Sequence, residues 1–263
     1  MPMFNTLTPN QWDYKEPRKG GNGAWNSYCD TRKGTRQTPR AQLAKCKAKF
    51  GVSNAPEQNP NSTRRNLDLS VTDADMIAFF EQVDRANCAA AATHSKSTFN
   101  KEYSADMLYE TIYLKTLKYD DEKKYDPLIR TKVVVGGDPR QHTKIYVVTG
   151  TDPETGDDVY EEGTIDDITK NSLVVPIVDF RGLWFASRQF GMSVVCKTIM
   201  VWPEAGDEEP QFEGLNLKKR AATDIGSSAS KRPRVEVTSA DAPEGGNDLQ
   251  TSVSITREDD DVM

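Results

Sequence analysis

The chain of 263 residues carries 34 Lys and Arg against 40 Asp and Glu, a formal net charge of −6, and only 36% of it is hydrophobic. A single globule of this length ordinarily holds about 45–50% apolar residues counting glycine, so one ordered domain flanked by long polar segments is expected. No run approaches the roughly 18 apolar residues of a membrane span, and Met1-Pro2-Met3-Phe4-Asn5 lacks a signal-peptide pattern, which excludes membrane insertion and secretion as leading readings.

The charge is unevenly spread. Residues 1–65 hold twelve bases and four acids, a balance of +8, while 66–203 and 204–263 each carry −7. A basic start on an acidic chain points to a polyanionic partner met by that start. Within it, residues 1–35 read as a basic, aromatic arm. Trp12, Tyr14, Trp25 and Tyr28 are interleaved with the bases and with Gly20-Gly21-Asn22-Gly23. Cations along a backbone and flat rings under bases are what holds a single nucleic-acid strand. The same rings could equally dock the arm onto a core. The glycine cluster is no phosphate-binding loop, because it lacks the Lys-Ser/Thr ending and the helix that would follow.

Residues 36–203 read as the folded core. Thr72 or Asp73 can cap a helix running to about Asn87, with Met76, Ile77, Phe79, Phe80 and Val83 on one face. The stretch from Phe99 to Leu114 has no clear period. Strand signals follow at Leu128–Val135, Lys144–Thr149, Asp158–Glu161, Leu173–Phe185 and Met192–Trp202, each rich in β-branched and aromatic residues. Turn chemistry at Gly136-Gly137-Asp138-Pro139 and Asp152 to Asp157 separates them, and the last two strands should form a hairpin. The fold class is therefore mainly β with one or two helices: a small barrel or sandwich with a helix packed on it.

No catalytic constellation is visible. Cys29, Cys46, Cys88 and Cys196 lie far apart, and His94 and His142 are the only histidines. A zinc site needs four ligands, usually in close pairs, so no metal and no cofactor are expected, and the thiols are expected to be reduced. The carboxylates Asp166-Asp167 read as the cap of a short helix or as facing water.

Residues 204–263 read as a disordered tail, too polar to bury a core. Lys218-Lys219-Arg220 and Lys231-Arg232-Pro233-Arg234, ten residues apart, have the spacing of a bipartite nuclear localisation signal. They imply a nuclear import receptor as a partner and the nucleus of a eukaryotic cell as the location. The chain closes on the acidic run Glu258-Asp259-Asp260-Asp261.

Gln37-Thr38-Pro39 and Lys49-Phe50-Gly51-Val52-Ser53 resemble the opening motif of the single-stranded-DNA-binding proteins of large eukaryotic DNA viruses. Val175-Pro176-Ile177, Gly182-Leu183-Trp184-Phe185, Phe190-Gly191 and the strand 194–201 resemble their C-terminal hairpin. The resemblance covers about residues 36–202. Those proteins are similar in turn to the podophage type, an OB-fold barrel with an acidic C-terminal tail. Two departures stand out: Lys49 where the family more often has Pro, and Val262-Met263 where the phage type tends to end on an aromatic residue.

What the resemblance implies is an OB-fold-like barrel that coats and protects single-stranded DNA during viral replication, recombination and repair, without catalysis. It also implies that the acidic tail contacts replication proteins such as polymerase, helicase or primase, and it allows a homodimer. The strand-contacting set is then Arg36, Arg40, Lys45, Lys47 and Lys49 beside Phe50, with Arg130, Lys132, Lys144, Tyr146, Trp184 and Arg188 from the core. Alternation puts Arg130 and Lys132 on one strand face and Lys144 and Tyr146 on another. Trp184 has two readings, base stacking or barrel core. Other functions compatible with the sequence are a nuclear protein-interaction scaffold or transcription-associated factor, and an RNA-binding OB protein.

Overall fold

In the computed structural model, two short 3-10 turns (Phe4–Thr6 and Pro9–Gln11) lead into strands β1 (Asp13–Tyr14), β2 (Arg18–Lys19) and β3 (Trp25–Asp30). Then come β4 (Arg40–Gln42), β5 (Cys46–Val52) and β6 (Arg64–Ser70). Helices α1 (Ala74–Thr93), α2 (Ser95–Phe99) and α3 (Ala105–Thr111) precede β7 (Tyr113–Leu114) and β8 (Leu117–Lys118). The chain continues through β9 (Leu128–Val134), β10 (Lys144–Thr151), β11 (Asp158–Glu162), β12 (Leu173–Phe185) and β13 (Phe190–Trp202). The structure describes residues 1–20, 24–57, 59–120, 122, 124–186 and 188–202. The two basic clusters at 218–220 and 231–234, the acidic run at 258–261 and the glycine cluster at 21–23 lie outside the described residues.

Five strands close on themselves. β5 pairs with β6 and β6 with β9, both antiparallel; β9 meets β13 in parallel; β13 pairs with β12 and β12 returns to β5, both antiparallel. Numbered along the chain, the ring runs first, second, third, fifth, fourth and back to the first. This is a five-stranded Greek-key barrel of the OB type. Beyond the ring, β10 extends β13 in parallel and β11 pairs with β10 as an outer edge. Ala48, Leu67, Leu69, Ile129, Val133, Val174, Val178 and Cys196 fill the interior. Their neighbours in sequence face outward, because side chains alternate along a strand.

α1 plugs one end of the barrel. The Asp73 carboxylate accepts the backbone N–H of Met76 at 2.7 Å, satisfying one of the helix's free donors. Met76, Phe79, Phe80 and Val83 are buried as their spacing requires, with Phe80 6.0 Å from Phe180 between ring centroids. The helix runs six residues past Asn87, because Cys88-Ala89-Ala90-Ala91-Ala92 is a run of small residues, mostly the best helix former. Cys88 and Ala91 begin a second core with Leu108, Tyr113, Leu183, Phe185 and Phe190.

The two cores are joined through a buried polar network. The Tyr113 hydroxyl donates to Asp84 Oδ1 at 2.6 Å, the Thr116 backbone N–H donates to the same carboxylate at 3.0 Å, and Asn87 Nδ2 donates to the Tyr113 hydroxyl at 2.7 Å. Tyr14 donates to Asn87 Oδ1 at 2.6 Å, which ties the N-terminal segment to α1. Burial holds the Asp84 carboxyl above its ordinary value, against the pull of these hydrogen bonds.

The described N-terminal residues pack on the barrel. Phe4 lies against Phe79 and Trp12 against Phe180, with centroids 5.7 Å and 5.0 Å apart, and β3 pairs with the end of β12. Trp12 is 8% exposed. Its ring docks the segment and has no free face to offer a base. Tyr28, by contrast, is 65% exposed.

Candidate nucleic-acid interface

β6 and β9 lie side by side with Asn66 opposite Lys132 and Asp68 opposite Arg130. Arg64, Asn66, Asp68, Arg130 and Lys132 therefore share the outer face, while Leu67, Leu69, Ile129 and Val133 are wholly buried inside. Arg130 is neutralised locally: its Nε and Nη2 each stand 2.8 Å from an oxygen of Asp68. Lys132 is different. It is half-buried, has no ion pair among the described residues, and burial first and the Arg64 charge second lower its ammonium pKa. A desolvated cation repelled by a neighbouring cation is stabilised by any anion that reaches it.

Two depressions flank Lys132 and share it. One, of about 260 Å³, is lined by Asn66, Lys115, Lys118, Arg130, Trp184 and Met192 among others. The second, of about 170 Å³, is lined by Tyr28, Arg64, Arg181 and again Trp184. Together they form one groove with Lys132 and Trp184 at its middle and Tyr28 at one end.

The path of β12 places Trp184 there. Up to Phe180 the strand's buried residues serve the barrel interior; its register with β13 then shifts between Phe180 and Leu183. Gly182 sits in that shift at φ +120°, where a Cβ would come within 2.1 Å of the Ser27 carbonyl oxygen. Only glycine permits this close crossing by β3. Past the bulge, Leu183 and Phe185 face the second core, which leaves Trp184 facing out. Trp184 stands opposite Gly191, and a Cβ on that glycine would lie 3.2 Å from Trp184 Cζ2, so the indole rests over it. Trp184 is half-buried and belongs to neither core. Glycine at 182 and 191 thus has a physical reason within the motif.

Of the residues expected from sequence, Arg130, Lys132 and Trp184 meet in this groove. Arg40 is bound to the buried Asp179, at 2.5 Å and 3.1 Å through two guanidinium nitrogens. Lys45 Nζ caps the Trp202 ring 3.8 Å from its centroid. Lys47 is exposed on β5, and Lys49 and Phe50 line a separate apolar depression beside Tyr125. Arg36 is exposed in a left-handed turn, φ 51°, and Arg188 is exposed in the β12–β13 turn. Lys144 and Tyr146 lie on β10, with Tyr146 edge-on to Tyr160 at 5.5 Å. None of these line the groove.

Sequence reasoning passes over Arg64, Asn66, Lys115, Lys118 and Arg181; of the four rings of the first 35 residues that it weighs as base stackers, Tyr28 alone lines the groove. The signal that could have found the first two is the alternation of Arg64, Asn66 and Asp68 with Leu67 and Leu69.

No cysteine lines the groove. All four cysteines are buried, and burial pushes their thiols up to about 12, so they stay protonated at neutral pH. Among the described residues no cluster of His, Cys, Asp and Glu could hold a metal ion, and no helix is long and apolar enough to cross a membrane.

No protein-family model matches the chain, and no curated protein sequence matches it. Among solved structures it is similar to gp2.5, a single-stranded DNA binding protein encoded by bacteriophage T7. The identity is 12% over 71% of this chain and 100% of that one, with a TM-score of 0.41. It is also similar to the single-stranded DNA-binding protein from bacteriophage Enc34, at 10% identity over 78% of this chain and 96% of that one, TM-score 0.39. The Enc34 protein in complex with ssDNA gives 6% identity over 72% and 96%, again at 0.39.

Proposed function

We propose that this chain binds single-stranded DNA in the groove across β6, β9, β13 and the end of β12, and that it does so without catalysis. One observation carries the reading: Lys132, a half-buried cation with no ion pair among the described residues, stands in one groove with the outward-facing indole of Trp184. Phosphates would lie along Arg64, Lys115, Lys118, Lys132 and Arg181, and bases would stack on Trp184 and Tyr28. A rigid duplex presents no unstacked bases to such rings, so the geometry favours a single strand. OB barrels offer this same face to oligonucleotides.

A protein of this kind acts stoichiometrically: it coats transient single strands in replication, recombination or repair and shields them from nucleases. The motifs at 37–39 and 182–191 support a place among the proteins of large eukaryotic DNA viruses. The paired basic clusters at 218–220 and 231–234 support import into the nucleus, and the acidic run at 258–261 supports contact with replication proteins. These three rest on sequence alone.

The test is a fluorescence-anisotropy titration of the full chain with labelled oligo-dT, matched duplex and oligo-U, at low and moderate salt. Tight, salt-sensitive binding to oligo-dT over duplex is expected. Preference for oligo-U would make it an RNA-binding protein, and no binding to either strand would leave a protein-interaction module.

A further inference from the structure

A second depression lies beyond the groove, at the Leu128 end of β9. It measures about 440 Å³; Phe50, Tyr119, Tyr125 and Leu128 line it together with two lysines, Lys49 and Lys118, and two carboxylates, Asp120 and Asp126. Phe50 is 63% exposed and Tyr125 61%, large rings held open to solvent on a polar surface. Exposed aromatic patches of this kind mark contact sites.

Three features decide what they contact. The first is continuity: Lys118 lines both this depression and the groove. β9 supplies Leu128 to one and Lys132 to the other, four residues apart, or about 13 Å at the usual rise per residue. The second is charge. Lys49 Nζ and Lys124 Nζ stand 5.7 Å and 5.8 Å from the Tyr125 ring centroid, so two cations lie close to the ring. The third is that the two carboxylates in its walls are held by hydrogen bonds from neighbouring residues. Asp120 accepts the backbone N–H groups of Lys124 and Tyr125 at 3.0 Å and 3.1 Å, which fixes the turn that presents Tyr125. Asp126 accepts the Ser70 hydroxyl at 3.3 Å.

We infer that this depression is a second base-stacking station on one continuous strand path. A single strand seated over Trp184 passes Lys118 and lays a further base on Tyr125 and Phe50. Rings set among lysines suit a nucleobase with its phosphate, whereas an apolar peptide side chain would gain nothing from the cations. The inference rests on the single-strand reading of the groove and adds its direction and extent: the path runs from Tyr28 towards the Leu128 end of β9.

The experiment is a length series of labelled oligo-dT, from about 4 to 16 nucleotides, the range of site sizes for one OB fold. It is titrated against the full chain and against the Phe50→Ala/Tyr125→Ala variant. Both side chains are largely exposed, so the melting temperature should hold; Tyr125→Ala alone serves if the double variant fails to fold. The two proteins should bind the shortest oligonucleotides alike. With length, the wild-type affinity should go on rising after the variant's has levelled off, to a difference of roughly tenfold for one lost stack. Curves that level off together at equal affinity would overturn the inference and leave the rings to a protein partner. An equal loss at every length would also overturn it, by placing Phe50 and Tyr125 in the primary site. Failure of the wild type to bind oligo-dT at any length would instead refute the underlying groove reading.

Discussion

Replacing Lys132 with methionine should weaken DNA binding without weakening the fold. The stem of Lys132 is half-buried among Asn66, Trp184 and Val194, and methionine fills a similar space. Its ammonium carries a penalty in the free protein, because burial and Arg64 lower its pKa below the ordinary 10.5. A lysine whose folded pKa is depressed binds protons better when unfolded, so stability rises with pH as the medium approaches 10.5. At pH 7 the penalty is fully present, and Lys132→Met removes it. The variant should melt at the same temperature as the wild type or higher, with the gap closing at alkaline pH. In binding, one lost phosphate contact lowers the log–log salt slope by about 0.7 for a single strand, so between 50 and 200 mM salt the variant's affinity falls about 2.6-fold less than the wild type's. Anisotropy titrations with oligo-dT at three or four salt concentrations, beside thermal melts at pH 7 and 10, measure both halves. An unchanged slope, or a clearly lower melting temperature, would refute the reasoning.

Trp184→Ala should cost roughly 1–3 kcal/mol of single-strand binding, one stack, while leaving the melting temperature close to wild type, since the ring belongs to neither core; parallel titration and melting read it. Gly182→Ala should destabilise the fold by several kcal/mol, because its methyl would meet the Ser27 carbonyl at 2.1 Å and no backbone can yield that far; chemical denaturation checks this. Arg40→Ala should destabilise by roughly 1–3 kcal/mol, leaving the 4%-exposed Asp179 without its partner, so any binding loss in that variant should follow its loss of structure. Asp84→Asn should remove a pH dependence: the raised carboxyl pKa means the wild type loses stability as pH climbs above about 3.8 towards the folded value, and urea midpoints across that window should fall in the wild type but stay level in the variant.

The strands legible in sequence are those rich in β-branched and aromatic residues, whether covered, as β12 is, or exposed, as β11 is. β12 reads at its true bounds, Leu173–Phe185, because eleven of those thirteen residues, all but Asp179 and Arg181, are apolar or glycine. The start of α1 is equally plain from the Asp73 cap and the Met76, Phe80, Val83 stripe. β5 and β6 escaped; β6 gives Arg64 and Asn66 to the groove, and β5 gives Lys49 and Phe50 to the depression beyond it. In β5 the inward residues are the small Cys46 and Ala48 between Lys47 and Lys49, and in β6 Leu67 and Leu69 sit among Arg64, Arg65, Asn66 and Asp68. Outward positions given to charge dilute the apolar signal that marks a strand. For the site, alternation put Arg130 and Lys132 on one face, which holds. Whether a cation is free was not legible: Arg40 and Arg130 look as available as Lys132 in sequence, yet their carboxylate partners lie 139 and 62 residues away along the chain. The position of Trp184 depends on a bulge at Gly182 that only the pairing of β12 with β3 and β13 reveals.

The central claim, that a single strand lies across Lys132 and Trp184, is tested most directly by photocrosslinking. The full chain is irradiated with oligo-dT carrying single halogenated uracils, and the crosslinked peptides are mapped by mass spectrometry. Crosslinks should concentrate at Trp184 and Tyr28, with further ones at Tyr125 from the far end of longer strands. Crosslinks that instead fell on the outer edge formed by β10 and β11, at Tyr146 and Tyr160, would contradict the account.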